Sequence, residues 1–212
     1  MYSSNTSSFF GDSIMYQKIA KKITNCFINN GIINSCDREI YEYSYEVMIS
    51  QTIYILIMIL ISLVFKALFE SLYFFIGFFL CRKFSGGYHA STYTKCHILF
   101  AINQIIFLFL LRLIKTEYFA LTSFLFIIIS VIIIFAIAPI DHPNKPFNKK
   151  EFLKYKKLSR FFAILLTPIY IIVYSIDKNN LFCFCFSIGI FSVCMSLLYA
   201  FLERRNKPNE KV

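Results

Sequence analysis

The hydrophobic stretches of this chain hold almost no charge. Six apolar runs can be drawn, at Val47–Phe65, Ala67–Cys81, Ile98–Leu111, Tyr118–Ala138, Phe161–Ile176 and Leu181–Leu202. Within them the only carboxylate is Glu70 and the only adjacent pair of side-chain amides is Asn103-Gln104. Ionisable groups at membrane depth mark transport pathways. A small non-catalytic transporter or exporter of a peptide, which six spans permit, is therefore the alternative and not the leading reading. HExxH and paired Glu-Glu sequences are missing too, which argues against an intramembrane metalloprotease or a prenyl-processing enzyme. The seven cysteines form no CxxC pair and no disulfide framework. Between Met1 and Ser13 no basic region leads into an apolar core, so a signal peptide is not expected there. Internal repeats and low-complexity linkers are absent.

What is present points to lipid. Of 212 residues, 58% are hydrophobic and 19% aromatic, and the mean hydropathy is +0.62. Soluble domains rarely reach such values, so the expected fold is an all-α membrane protein. One integral membrane domain is expected over 1–212, with interfacial helices in 1–46, a bundle in 47–202 and a cytoplasmic tail in 203–212. A helix crossing a ~30 Å hydrocarbon core needs about 20 residues. Val47–Phe65, Tyr118–Ala138 and Leu181–Leu202 meet that, and Phe161–Ile176 does so if Leu158 to Arg160 snorkel, with a kink expected at Pro168. Ala67–Cys81 and Ile98–Leu111 are short, and are either tilted, thin spans or a partly re-entrant pair. A basic amphipathic helix at the membrane interface is expected from an Asp12-Ser13 cap to about Asn30. Met15, Ile19, Ile23 and Phe27 recur on it every fourth residue, with Lys18, Lys21 and Lys22 on other faces. Asp37 is a possible start for a second short helix leading into the first span.

The net charge is +10, and its placement is informative. With both termini cytoplasmic, 18 of the 22 Lys and Arg residues fall inside, and only Lys66, Arg112, Lys115 and Lys178 fall outside. The positive-inside rule sets that orientation. Topology and contact with anionic lipid account for most of the basic residues. No soluble basic face remains, so nucleic-acid binding is not expected. Cys26, Cys36 and Cys96 then face a reducing compartment, where disulfides are not expected.

The chemistry concentrates between the second and third runs, in Arg82-Lys-Phe-Ser-Gly-Gly-Tyr-His-Ala-Ser-Thr-Tyr-Thr-Lys-Cys96. A thiol attacks as thiolate, and an imidazole can take its proton and later return it to a leaving amine. His89 and Cys96 are seven residues apart. In one continuous helix they would share a face but sit ~10 Å apart along the axis, too far for the roughly 3 Å contact of a base and nucleophile. A dyad therefore demands a break, which Gly86-Gly87 and Ser91-Thr92-Tyr93-Thr94 make credible. The bland readings are a hydrogen-bonded interfacial histidine and a packing cysteine. Zinc on His89, Cys96 and His97 is a poor alternative, because adjacent residues diverge on a helix and only His142 could complete the set. His97 is a weak candidate base, since it opens the next apolar run. No metal or cofactor is expected.

These residues resemble the accessory gene regulator B (AgrB) family, membrane cysteine endopeptidases of Gram-positive quorum sensing. The family pattern is an Arg, then Gly-Gly-x-His, then a Cys seven residues past the His, matched by Arg82, Gly86-Gly87-Tyr88-His89 and Cys96. A second element, Ala-Pro-x-Asp-x-x-Asn-Lys-Pro, is matched by Ala138, Pro139, Asp141, Asn144, Lys145 and Pro146. The resemblance implies cleavage of the C-terminal part of an AgrD-like precursor peptide through a Cys96 acyl-enzyme, with His89 as base and then acid. It implies ring closure to a thiolactone or lactone by an internal Cys or Ser of the precursor, and action as a homodimer. Arg82 would bind the precursor's acidic tail, form a stabilising salt bridge, or only set topology. Gly87 would serve backbone geometry. Asp141 or Asn144 would orient His89 as a third member or stabilise the proline-rich turn. Lys145, Lys149 and Lys150 would attract an acidic peptide region or anchor the chain to the membrane.

Overall fold

The computed structural model describes residues 7–86, 92–140, 148–176 and 180–206. Among these, helices account for nearly everything: α1 (Ser7–Asn29), α2 (Arg38–Phe65), α3 (Leu68–Ser85), α4 (Tyr93–Leu113), α5 (Phe119–Ile137), α6 (Lys149–Ile176) and α7 (Leu181–Asn206). There is no strand among them, so the chain is an all-α membrane-type protein. Among the described residues, five helices are long and apolar enough to cross a membrane: those ending at Phe65, Leu113, Ile137, Ile176 and within α7. The helix α3, with 18 residues carrying Glu70, Arg82 and Lys83, is not among the five. Large apolar side chains face outward on the long helices, as with Val64 at 79% and Ile132 at 61% exposure. So many exposed aliphatic groups fit lipid and not water.

Several expected boundaries move. α1 starts at Ser7, so Asp12-Ser13 lies inside the helix and is no cap. No separate helix starts at Asp37: a single turn, Ser35–Asp37, runs directly into α2. The basic segment after Asn148 and the fifth apolar run form one helix, α6, with Pro168 in its interior. Its start is a capping box, in which Asn148 Oδ1 accepts the Glu151 N–H (2.9 Å) and Glu151 Oε2 accepts the Asn148 N–H (3.1 Å).

The chain divides into two compact units. The first holds α1, α2 to Ile61, and α4 to Ile102. In it α1 is buried along Tyr16, Ala20 and Thr24, while Met15 and Ile19 stay exposed. The face that packs on protein is thus small and hydroxylic, a quarter-turn from the apolar stripe visible in the sequence. Phe27 stacks on Tyr45 with ring centroids 5.9 Å apart.

The second unit holds α3, α5, α6, α7 and the remaining parts of α2 and α4. α7 is its centre: 61% of its apolar window is buried, against 22–33% for the other four membrane-length helices. Cys183, Cys185 and Cys194 are buried there as small apolar groups. α3 crosses α7 at two glycines. A Cβ on Gly77 would strike the Phe186 carbonyl oxygen, and one on Gly189 would strike the Phe74 carbonyl oxygen and come within 2.8 Å of the Phe78 nitrogen. Small residues at such a crossing let backbones approach where hydrophobicity cannot drive association. Around it Phe119 stacks on Phe184 (4.1 Å) and Phe74 on Phe107 (4.5 Å).

α5 and α6 are joined by a buried hydroxyl pair, Ser123 Oγ to Tyr170 Oη at 2.7 Å. Tyr170→Phe is expected to cost only about 0.6 kcal/mol, the usual worth of such a bond inside a membrane bundle. Ser123 Oγ keeps its bond to the Ala120 carbonyl (3.0 Å), so no buried donor is stranded. Thermal unfolding in detergent measures it; a loss several times larger would mean the pair organises more than itself.

Candidate active site

Cys96 lies in the first turn of α4, in the first unit. Thr92 sets where that helix starts. Its Oγ1 accepts the Lys95 N–H at 3.3 Å and its carbonyl accepts the Cys96 N–H at 3.2 Å. A threonine hydroxyl serving a donor three residues on is the N-cap arrangement. Thr92 is buried, while Cys96 is partly exposed. The helix α3 stops at Ser85 and α4 starts at Tyr93, so no single helix carries the motif from Arg82 to Cys96.

A polar cluster surrounds the same turn. His97 is only 5% exposed, and both its ring nitrogens are engaged. Nδ1 lies 3.4 Å from Tyr16 Oη. Nε2 lies 3.2 Å from Ser50 Oγ and 3.3 Å from the Ser50 carbonyl oxygen. A carbonyl can only accept, so this geometry puts the proton on Nε2 and leaves Nδ1 to accept from the Tyr16 hydroxyl. The Tyr54 ring meets the imidazole edge-on at 4.5 Å. One turn back, Tyr93 packs on Tyr16 (4.8 Å) and its hydroxyl donates to Glu46 Oε2 (3.4 Å). With its lone pair occupied by Tyr16, His97 is a poor base for Cys96.

Arg82 and Gly86 belong to the second unit, at the carboxyl end of α3. The Arg82 guanidinium lies 5.9 Å from the centre of the Phe78 ring. Gly86 ends the helix with φ +78° and ψ −143°, and its N–H donates to the Arg82 carbonyl at 3.1 Å. It also pairs in parallel with Ile140 as an isolated bridge. A Cβ there would stand 2.8 Å from the Ile140 carbonyl oxygen. The first sequence element, at Gly86, and the start of the second, at Ala138-Pro139-Ile140, are therefore joined backbone to backbone. α6 braces the same end, through Ser159 Oγ donating to the Phe84 carbonyl (2.7 Å) and Phe162 stacking on Phe84 (5.0 Å).

Backbone strain of this kind costs an L-residue about 1–3 kcal/mol before any clash. Gly86→Ala is accordingly expected to lower the thermal midpoint in detergent clearly and to remove function with it. A variant as stable as the parent would mean the bridge to Ile140 is dispensable.

Gly87, His89, Asp141, Asn144 and Lys145 lie outside the described residues. Tyr16, Glu46 and Ser50 carry no signal in the sequence as neighbours of the motif. Thr92 and Tyr93 belong to the motif itself, and the sequence reads them only as part of the run that breaks the helix. Among the described residues, no group of three or more His, Cys, Asp or Glu side chains is placed to hold a metal ion.

The family described as Accessory gene regulator B matches residues 20–198. Nothing among curated proteins or solved structures matches the chain.

Proposed function

From the premise that this chain belongs to the accessory gene regulator B family, whose members process quorum-sensing precursor peptides, we propose that it is a membrane-embedded cysteine endopeptidase. The single observation that carries the reading is the setting of Cys96. It is a partly exposed thiol on the capped first turn of α4. A thiolate formed there would sit at the positively polarised end of α4.

On this reading the Cys96 sulfur attacks the scissile carbonyl carbon of an AgrD-like precursor. The thiol proton passes to His89. The C–N bond breaks, and His89 protonates the departing amine, which leaves with the C-terminal fragment. An internal Cys or Ser of the precursor then attacks the thioester, its proton returning through His89 to Cys96, and the ring closes as a thiolactone or lactone. Exchange between thioesters is nearly balanced in free energy, so closure needs chiefly that water be kept away. Arg82 would hold the precursor's acidic tail, and Asp141 or Asn144 would orient His89. Lys145 would add positive charge for the acidic region. Both termini and the Arg82–Cys96 segment would lie on the cytoplasmic side of the cell membrane, as the Lys and Arg distribution favours, which requires α3 to cross as a short span beside the five membrane-length helices. Homodimeric action belongs to the same reading.

The test is mass analysis of a short amphipathic, acid-tailed peptide co-expressed with the protein. A truncated peptide is expected, together with a hydroxylamine-labile adduct on Cys96. An adduct on any other residue, or a peptide that stays full-length, would remove the proposal.

A further inference from the structure

We propose that Tyr16, His97 and Ser50 form a clamp that positions Cys96, and that it makes α1 a working part of the site instead of a membrane anchor alone. The proposal rests on Cys96 being the nucleophile.

An imidazole buried in an otherwise apolar helix is costly unless it is hydrogen-bonded. His97 is bonded at both nitrogens, and its partners come from two different helices, Tyr16 on α1 and Ser50 on α2. A leucine would fill the same space more cheaply, but without direction. Hydrogen bonds weaken steeply with angle, so two at opposite ends of one flat ring fix how α4 is rotated and how far it is advanced along its axis. Tyr93, four residues earlier on the same helical face, repeats the attachment through its contact with Tyr16 and its bond to Glu46. Cys96 stands between these two fixed points, one residue before His97 at the flank of the buried face, where it is partly exposed. The clamp holds the turn that bears the sulfur without touching the reaction itself. His97 is therefore a positioning residue.

A displacement near 1 Å can cost a reaction up to about a hundredfold. The chain has two exposed competing thiols, Cys26 and Cys36, while Cys81, Cys183, Cys185 and Cys194 are buried. In a full-length Cys26→Ser, Cys36→Ser background in lipid vesicles, alkylation by N-ethylmaleimide then reports Cys96, with Cys96→Ala as the blank. Tyr16→Phe removes one hydroxyl and keeps the ring. His97→Leu removes both bonds, and His97→Gln restores a donor and acceptor near the position of Nε2.

The Cys96 alkylation rate is expected to change at least about fivefold in Tyr16→Phe and His97→Leu, and to return toward the parent in His97→Gln, within the displacement cost above. Peptide turnover should fall through kcat with KM nearly unchanged, while the thermal midpoint of Tyr16→Phe stays near that of the parent. Alkylation rates within twofold of the parent in both folded variants would overturn the clamp, as would lost turnover with unchanged alkylation. Altered alkylation in the variants, with a parent that itself never processes peptide, would uphold the clamp and sink the peptidase reading instead.

Discussion

Cys96→Ala is expected to leave the precursor peptide full-length, with turnover reduced at least about a thousandfold, because removing a covalent nucleophile removes the pathway and not merely a favourable contact. His89→Ala should cost about 10²–10⁴-fold, the usual worth of a positioned acid–base group. The two losses should not add, since both groups serve one step. Cys26→Ser and Cys36→Ser are the informative controls, being the other exposed thiols, and both should process the peptide normally. Mass analysis of the peptide, with the membrane level of each variant measured in parallel, decides the matter. Normal processing in Cys96→Ala would end the covalent mechanism. Normal processing in His89→Ala alone would move the base elsewhere; His97, with its nitrogens already engaged, is poorly suited to inherit the role.

Gly77→Val and Gly189→Val should be the most damaging changes to assembly. Each glycine abuts the backbone of the other helix: Gly77 meets Phe186, and Gly189 meets Phe74 and Phe78. A side chain at either point cannot be accommodated by rotating a neighbour, because the obstacle is main chain. α3 and α7 must move apart, opening the packing of Phe182 on Tyr73 (4.9 Å). Overpacking that forces backbone shifts costs about 1–3 kcal/mol and more in the worst cases, a large share of a stability of about 5–15 kcal/mol. Both variants should aggregate on extraction into detergent, and size-exclusion profiles would register that. A monodisperse Gly77→Val with the parental thermal midpoint would mean the helices do not approach this closely.

Hydropathy revealed the helices that face lipid and missed where they begin. The third apolar run starts at Ile98, but α4 starts at Tyr93, because Thr92 caps it and the residues between are polar. Those polar residues include Cys96 and the Tyr93 anchor. α6 shows the same effect on a larger scale: Lys149 to Arg160 and Phe161 to Ile176 read as two segments, yet Lys, Glu and Leu are good helix formers, and nothing between them interrupts the backbone. A change from water to lipid along a helix looks like a boundary in composition and is none in structure.

The packed face of α1 was hidden for a related reason. Met15 and Ile19 dominate its hydrophobic pattern, yet Ala20 and Thr24 are the fully buried positions. Small and hydroxylic side chains carry little hydropathy but allow the closest approach. The site divides in the same way. His89, Cys96 and Arg82 are candidates on their spacing and on resemblance alone. The partners of His97 could not, because Tyr16 and Ser50 lie 81 and 47 residues away along the chain and each looks unremarkable where it stands.

The pairing of Gly86 with Ile140 also sets how this protein could be recombined with its relatives. Anyone exchanging the proline-rich segment to alter peptide preference would be exchanging half of a backbone joint. The donor's residue at 140 would have to meet the recipient's glycine at 86 in the same register, or the carboxyl end of α3 would lose its neighbour. The natural cassette for a chimera is therefore discontinuous: the stretch through 86 and the stretch through 140 should be grafted together or left together.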